Sequence, residues 1–147
     1  MIRRYVPEDK SKVKDLLKRN TPEYFDPSEE RELEKYLDEE IEDYFVFEQN
    51  SQIVGAGGIN YFPKEKLARI SWDIIDPELQ GQGIGRKLAQ HRIDHIKKNT
   101  GVDLIIVRTS QLAYRFYEKM GFELEKIERD FWAKGFDLYQ MKKSNKS

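Results

Sequence analysis

Ile74-Ile75-Asp76-Pro77-Glu78-Leu79-Gln80-Gly81-Gln82-Gly83-Ile84-Gly85-Arg86-Lys87 runs without interruption from a strand, through a glycine-rich turn, into the start of a helix. Pro77 ends the strand, because proline donates no hydrogen bond and pushes the residue before it away from helical geometry. The glycines let backbone amides point the same way, and the positive end of the following helix dipole attracts an anion. Alone, the stretch fits a phosphate cradle and an ordinary tight turn equally well. Two other phosphate patterns fail on residue identity. A dinucleotide fingerprint needs a glycine where Gln80 stands, after the first strand of a strand-helix-strand unit. A P-loop needs Ser or Thr after Gly-Lys, and this chain has Gly85-Arg86-Lys87-Leu88.

Outward from this stretch the chain alternates between the two structural periods. Ile2 to Tyr5 reads as a short strand, and Val13, Leu16 and Leu17 share a helical face that ends near Asn20. Asp26-Pro27-Ser28-Glu29 supplies a cap, a proline for the first turn and a glutamate to reach back, opening a second helix whose stripe is Leu33, Tyr36, Leu37 and Ile41. Tyr44 to Glu48 and Ile53 to Tyr61 form a hairpin across Asn50-Ser51, with Gly55, Gly57 and Gly58 marking a bulge or a close backbone approach. Leu67 to Ile75 is the next strand. After the glycine turn, Leu88, Ile93 and Ile96 face inward on a helix closed by Asn99-Thr100-Gly101. Leu104 to Val107 is a short buried strand, Ala113, Phe116, Tyr117 and Met120 stripe a last helix ended by Gly121, and Phe122 to Ile127 and Phe136 to Met141 close the sheet. The expected architecture is α/β (α+β): a central mixed, mostly antiparallel sheet of about seven strands flanked by about four helices. Residues 1–142 form one domain and 143–147 a tail.

The composition narrows the function. With 147 residues, 26 Lys+Arg against 27 Asp+Glu and a net charge of -1, the chain has no global attraction for nucleic acid or an anionic membrane, and neither is an expected partner. The absence of cysteine removes disulfides, thiolate nucleophiles and cysteine-ligated zinc. The N-terminus lacks the apolar stretch of a signal peptide, so a cytoplasmic location is expected. His91 and His95 stand four apart on a helix without an obvious third ligand, which places them on its solvated face and makes a metal site unexpected.

Gln80-x-x-Gly83-x-Gly85 on a strand-turn-helix resembles the acetyl-CoA signature of the GNAT superfamily of N-acetyltransferases. Ser110-Gln111-Leu112-Ala113-Tyr114-Arg115-Phe116-Tyr117-Glu118-Lys119-Met120-Gly121-Phe122 resembles that superfamily's later motif, in which a helix ends in a tyrosine, a short linker and Gly-Phe. The resemblance covers nearly the whole chain and implies acetyl-CoA as co-substrate, with no metal. It implies that the pyrophosphate lies on amides of Gln82, Gly83, Ile84, Gly85 and Arg86, with Gln80 and Gly81 opening the motif, and that Ile74 and Ile75 pair with the pantetheine arm. Tyr117 stands at the family's general-acid position, and a phenol with an ordinary pKa of about 10 carries its proton at pH 7. Where relatives often carry asparagine against the cofactor this chain has Ser110, which serves as a shorter donor or as a helix cap.

The general base departs from the pattern, since the usual glutamate position aligns with Arg69, which cannot take a proton. Strand alternation puts Asp73 on the face of Arg69 and Ser71, so Asp73 is either a base acting through water or the partner of Arg69 in a salt bridge. Charge is also uneven. Asp26 to Glu48 carries a net -9 and Arg86 to Lys119 a net +5, so an acidic second helix beside the acceptor would suit a cationic amine, while a solvated outer face is the plainer reading. The implied reaction is direct acetyl transfer to a primary amine of a small molecule or peptide, by a monomer or homodimer. An acyl-CoA sensor without turnover, or an acyltransferase for another acyl group or acceptor, is the alternative.

Overall fold

The structure, a computed structural model, describes residues 1–145. Seven strands, β1 (Ile2–Arg4), β2 (Asp43–Gln49), β3 (Gln52–Phe62), β4 (Leu67–Ile75), β5 (Leu104–Thr109), β6 (Glu123–Ala133) and β7 (Phe136–Ser144), form one sheet in the order β1-β2-β3-β4-β5-β7-β6. All neighbours are antiparallel except β4 and β5. Four α-helices, α1 (Lys10–Arg19), α2 (Glu29–Lys35), α3 (Ile84–Lys97) and α4 (Tyr114–Lys119), cover it, and α2 runs on into a π-helical turn at Tyr36–Glu40.

Each face buries its own cluster. Val13, Leu16, Leu17, Leu33, Tyr36 and Leu37 of the α1 and α2 side pack on Tyr44, Val46, Ala56 and Ile74. Ile84, Leu88, Ile93 and Ile96 of α3 and Tyr117 of α4 pack on Phe45, Val54, Ile70, Ile105 and Val107. The hairpin turn places Asn50 at φ 53° and Ser51 at φ 63°, the left-handed pair that matches the twist of a two-residue connection. Asp26 and Glu29 form the expected reciprocal cap, Asp26 N–H donating to Glu29 Oε2 at 2.8 Å and Ser28 N–H to Asp26 Oδ2 at 3.0 Å.

Both closing strands are longer than hydropathy implies. The strand expected to end at Met141 continues to Ser144, because Lys142, Lys143 and Ser144 pair with Ile106, Ile105 and Leu104 through backbone groups that need no apolar side chain. Asn145 then donates to Val102 O at 2.7 Å. The tail expected from residue 143 is therefore part of the sheet through 144, and 146–147 lie outside the described residues. β6 extends to Ala133 through a charged run, since it is the sheet edge and is exposed along most of its length.

Candidate active site

Parallel pairing joins β4 to β5 from Leu67↔Leu104 to Ile70↔Val107 and goes no further, so the strands part along Ser71–Ile75. The opened edge of β4 points toward the turn that leads into α3. Asp76 N–H donates to Val54 O at 2.8 Å, and the next pairs are Gly55↔Ile75 and Ala56↔Ile74. By antiparallel alternation Ile74 exchanges its hydrogen bonds with β3, and Ile75 turns its own toward the gap. Asn20, buried at the end of α1, donates to Ile75 O at 3.0 Å and so leaves the Ile75 amide as the group presented there.

Gly81 and Gly83 take φ +84° and +85°, with open space where a side chain would stand. Helical bonding in α3 begins with Lys87 N–H to Gly83 O at 3.0 Å, so the amides of Gly83, Ile84, Gly85 and Arg86 precede it, and no side chain caps them. Gln80 is steadied from the α1–α2 connection by Tyr24 Oη, which donates to Gln80 Oε1 at 3.1 Å. Ser110 Oγ accepts from Leu112 N–H at 3.2 Å, two residues on, and α4 itself starts at Tyr114, so this serine shapes the turn before the helix instead of capping it.

A β-bulge departs most sharply from the sequence reading. Ala56 faces Ile74 and Gly58 faces Ser71, so Gly57 alone opposes both Trp72 and Asp73, and Trp72 takes φ +52°. The extra residue breaks alternation. Trp72 joins the aromatic group on the α1 and α2 side, its ring 6.3 Å from that of Phe25 and 6.3 Å from that of Tyr36. Asp73 turns to the α3 and α4 side. The expected Arg69–Asp73 salt bridge is therefore absent: Asp73 pairs with Arg92, and Arg69 lies 4.8 Å over the Phe62 ring.

Arg92, Asp73 and Tyr117 form one unit. Arg92 is 1% exposed and donates from Nε to Leu88 O at 3.1 Å and from Nη1 to Gly58 O at 3.2 Å. The Tyr117 hydroxyl donates to Asp73 Oδ2. Burial, then the Asp73 charge, push the Tyr117 phenol well above its usual range, while Arg92 pulls the other way. Burial works against the Arg92 charge and Asp73 more than offsets it, so the guanidinium holds its proton more firmly than usual. Gly57 makes room, because a Cβ there would stand 2.5 Å from Asp73 Oδ1 and 2.8 Å from Arg92 Cζ. Sequence reasoning missed Arg92, yet its spacing marked it: it lies four residues from Leu88 and four from Ile96, inside the apolar stripe.

Two other expectations change. His91 and His95 are half-buried against Phe45, with ring centroids 4.7 and 5.7 Å away, and His95 Nε2 lies 3.3 Å from Asp43 Oδ2. The acidic face of α2 is answered by α1, where Lys10, Lys14 and Lys18 reach Asp38, Glu34 and Glu30 at 2.9, 2.7 and 3.5 Å. Among the described residues no helix is long and apolar enough to cross a membrane.

Comparison with known proteins gives concordant matches. The chain is 32% identical over 101 residues to an uncharacterised N-acetyltransferase of Methanocaldococcus jannaschii, covering 63% of this chain and 45% of that protein. It is 38% identical over 60 residues to the [ribosomal protein bS18]-alanine N-acetyltransferase of Escherichia coli, covering 40% of each. The matched stretches thus span less than half of either relative. In fold it superposes on an aminoglycoside 6'-N-acetyltransferase solved with coenzyme A at a TM-score of 0.78, with 17% identity, over 100% of this chain and 98% of that one. Residues 9–145 match the acetyltransferase (GNAT) domain family, and the chain belongs to that family.

Proposed function

We propose that the protein transfers an acetyl group from acetyl-CoA directly to a primary amine of a small-molecule or peptide acceptor, with Tyr117 as general acid. The observation that carries this reading is the Tyr117 hydroxyl held by Asp73 in the stretch of β4 that parts from β5, the same stretch whose last residue, Ile75, lies beside Gly85 at the uncapped start of α3. Family membership and the coenzyme A complex of a structural neighbour support the co-substrate. The relative that acts on a protein alanine supports an amine acceptor.

The residues fit acetyl-CoA. The amides of Gly83, Ile84, Gly85 and Arg86 gather at the positive end of a helix of 14 residues, with open space at Gly81 and Gly83 and with Gln80 and Gln82 exposed beside them. Ile75 offers an amide to the pantetheine or the acyl oxygen, Ile74 holds it in place through β3, and the Ser110 hydroxyl keeps its proton to donate. Bound acetyl-CoA supplies a thioester carbonyl for the amine to attack.

Tyr117 keeps its proton at neutral pH and gives it to the departing thiolate, the O–H electron pair staying on the phenol oxygen. Asp73 holds the phenol oxygen in place until the O–H turns from the carboxylate to the sulfur, and Arg92 balances the negative charge that grows beside that carboxylate. This occupies Asp73 with positioning Tyr117 in place of base work. With no base at this position the acceptor ammonium loses its proton to solvent before it attacks, so turnover rises with pH toward the amine's own pKa. Release of CoA thiol from acetyl-CoA over a panel of amines tests the reaction. Tyr117→Phe should lower kcat about 10²-fold with acetyl-CoA affinity unchanged by calorimetry. Undiminished turnover removes the acid role, and no thiol release with any amine removes the transfer itself.

A further inference from the structure

Two arginines stand on the sheet face that carries α1 and α2, and neither has a carboxylate partner. Arg69 of β4 lies opposite Ile106 of β5 in the parallel register, so Arg108, two residues on, emerges on the same face, beside the parting of the strands. The Arg69 guanidinium sits 4.8 Å over Phe62, and that of Arg108 sits 4.8 Å over Phe131 and 5.6 Å over Trp132. Both are half-buried, and among the described residues neither forms an ion pair. By contrast, Arg3 has Asp9, Arg19 has Asp76 and Arg92 has Asp73. Burial, then the charge of Arg108, hold Arg69 below the usual guanidinium range. Placing two like charges together, partly out of water, with no carboxylate in ion-pair contact and only the more distant pull of Glu40 on Arg69, costs stability. Such a cost is kept where a ligand repays it.

We propose that Arg69 and Arg108 form a subsite for an anionic group, a carboxylate or a phosphate, carried by the amine acceptor. This rests on the acetyl-transfer reading above. Planar guanidinium groups lying on aromatic rings keep their N–H edges free for two-pronged bonding to such oxygens. Ser71 and Trp72 connect the subsite to the opened edge of β4. The four residues from Arg69 to Asp73 span at most about 13 Å at 3.3 Å each, less what the bulge at Trp72 takes up. An acceptor whose amine and anion are several bonds apart therefore fits, as in an ω-amino acid or an amino sugar phosphate.

The test compares matched acceptors at saturating acetyl-CoA: 6-aminohexanoate against hexylamine, and glucosamine 6-phosphate against glucosamine. The anionic member of at least one pair should have a kcat/KM about tenfold higher or more, and which pair shows it separates carboxylate from phosphate. Arg69→Met and Arg108→Met should each erase that preference through KM while sparing the neutral acceptor. Neither should lower the melting temperature, because each relieves like-charge repulsion. Acetylation without preference, or loss of stability and of all acceptors together, overturns the subsite and leaves the acetyl-transfer reading standing. If no amine is acetylated, glutarate is titrated into the CoA-loaded protein, with CoA filling the glycine turn and tryptophan fluorescence as the signal. Saturable binding lost in Arg108→Met supports the subsite after the transfer reading has failed, and no binding overturns both.

Discussion

Gly57→Ala tests whether the Arg92, Asp73 and Tyr117 unit is as tightly built as its geometry says. The new Cβ would stand 2.5 Å from Asp73 Oδ1 and 2.8 Å from Arg92 Cζ and Nη1, against ordinary contacts of 3.4 Å or more. Neither neighbour is the loose end of a flexible chain. Arg92 is 1% exposed and held by Leu88 O and Gly58 O, and Asp73 is held between Arg92 and Tyr117. Relief must come from the β3 and β4 backbones, which puts the cost in the upper part of the overpacking range, about 2–3 kcal/mol. For a domain of this size that lowers the melting temperature by about 4–12 °C. Gly81→Ala is the control: it also replaces glycine, at φ +84°, but meets nothing within 4 Å, so backbone strain of about 1 kcal/mol is its whole cost. Scanning calorimetry on both variants, with kcat for each, makes the comparison. Gly57→Ala should be the less stable and should lose turnover, since the carboxylate that holds Tyr117 has moved. The reasoning is refuted if Gly57→Ala melts no lower than Gly81→Ala, or melts lower while keeping full kcat.

Gly83→Glu should abolish the rise in melting temperature that acetyl-CoA gives, by placing a side chain and a negative charge over the uncapped α3 amides; an unchanged dissociation constant by calorimetry removes the phosphate assignment of this turn. Glu29, buried at the start of α2, has its carboxyl pushed up from 4.5 to about 7, by burial first. A carboxyl whose folded pKa is raised supports the fold fully below its unfolded value and loses that support as pH climbs through the folded one. Glu29→Gln should therefore match the wild type in stability below about pH 4.5 and exceed it by an amount that grows up to about pH 7 and then levels off, and a difference that does not vary with pH would contradict this.

Much of the fold follows from local pattern. The hairpin at Asn50-Ser51, the stop at Asp76-Pro77 and the end of α4 at Gly121 are set by residues that admit few backbone conformations, and each stands where the sequence puts it. Strand ends were harder to read. Lys142 to Ser144 are in the sheet because β5 offers them backbone partners, and the backbone ladder leaves no trace in hydropathy. The glycine turn was legible for the same reason as the other turns, since Gly81 and Gly83 occupy conformations that other residues resist.

The side-chain chemistry was legible only up to Trp72. Alternation assigns each strand residue a face by counting, and one extra residue reverses every assignment beyond it. No hydropathy signal marks that residue, because Trp72 and Asp73 suit a half-buried strand in either phase. Without the bulge, Asp73 would share a face with Arg69, and the two would neutralise each other at a wet edge. With it, the carboxylate moves to the α3 side, where Arg92 interrupts the Leu88 to Ile96 stripe to meet it and where the Tyr117 hydroxyl finds its acceptor. The same displacement takes from Arg69 the acid that counting had given it, and Arg69 shares its face with Arg108 instead. One inserted residue thus accounts both for the held phenol on one side of β4 and for the unpaired arginines on the other. The two features are physically coupled, and a deletion that restored regular pairing at Trp72 should remove them together.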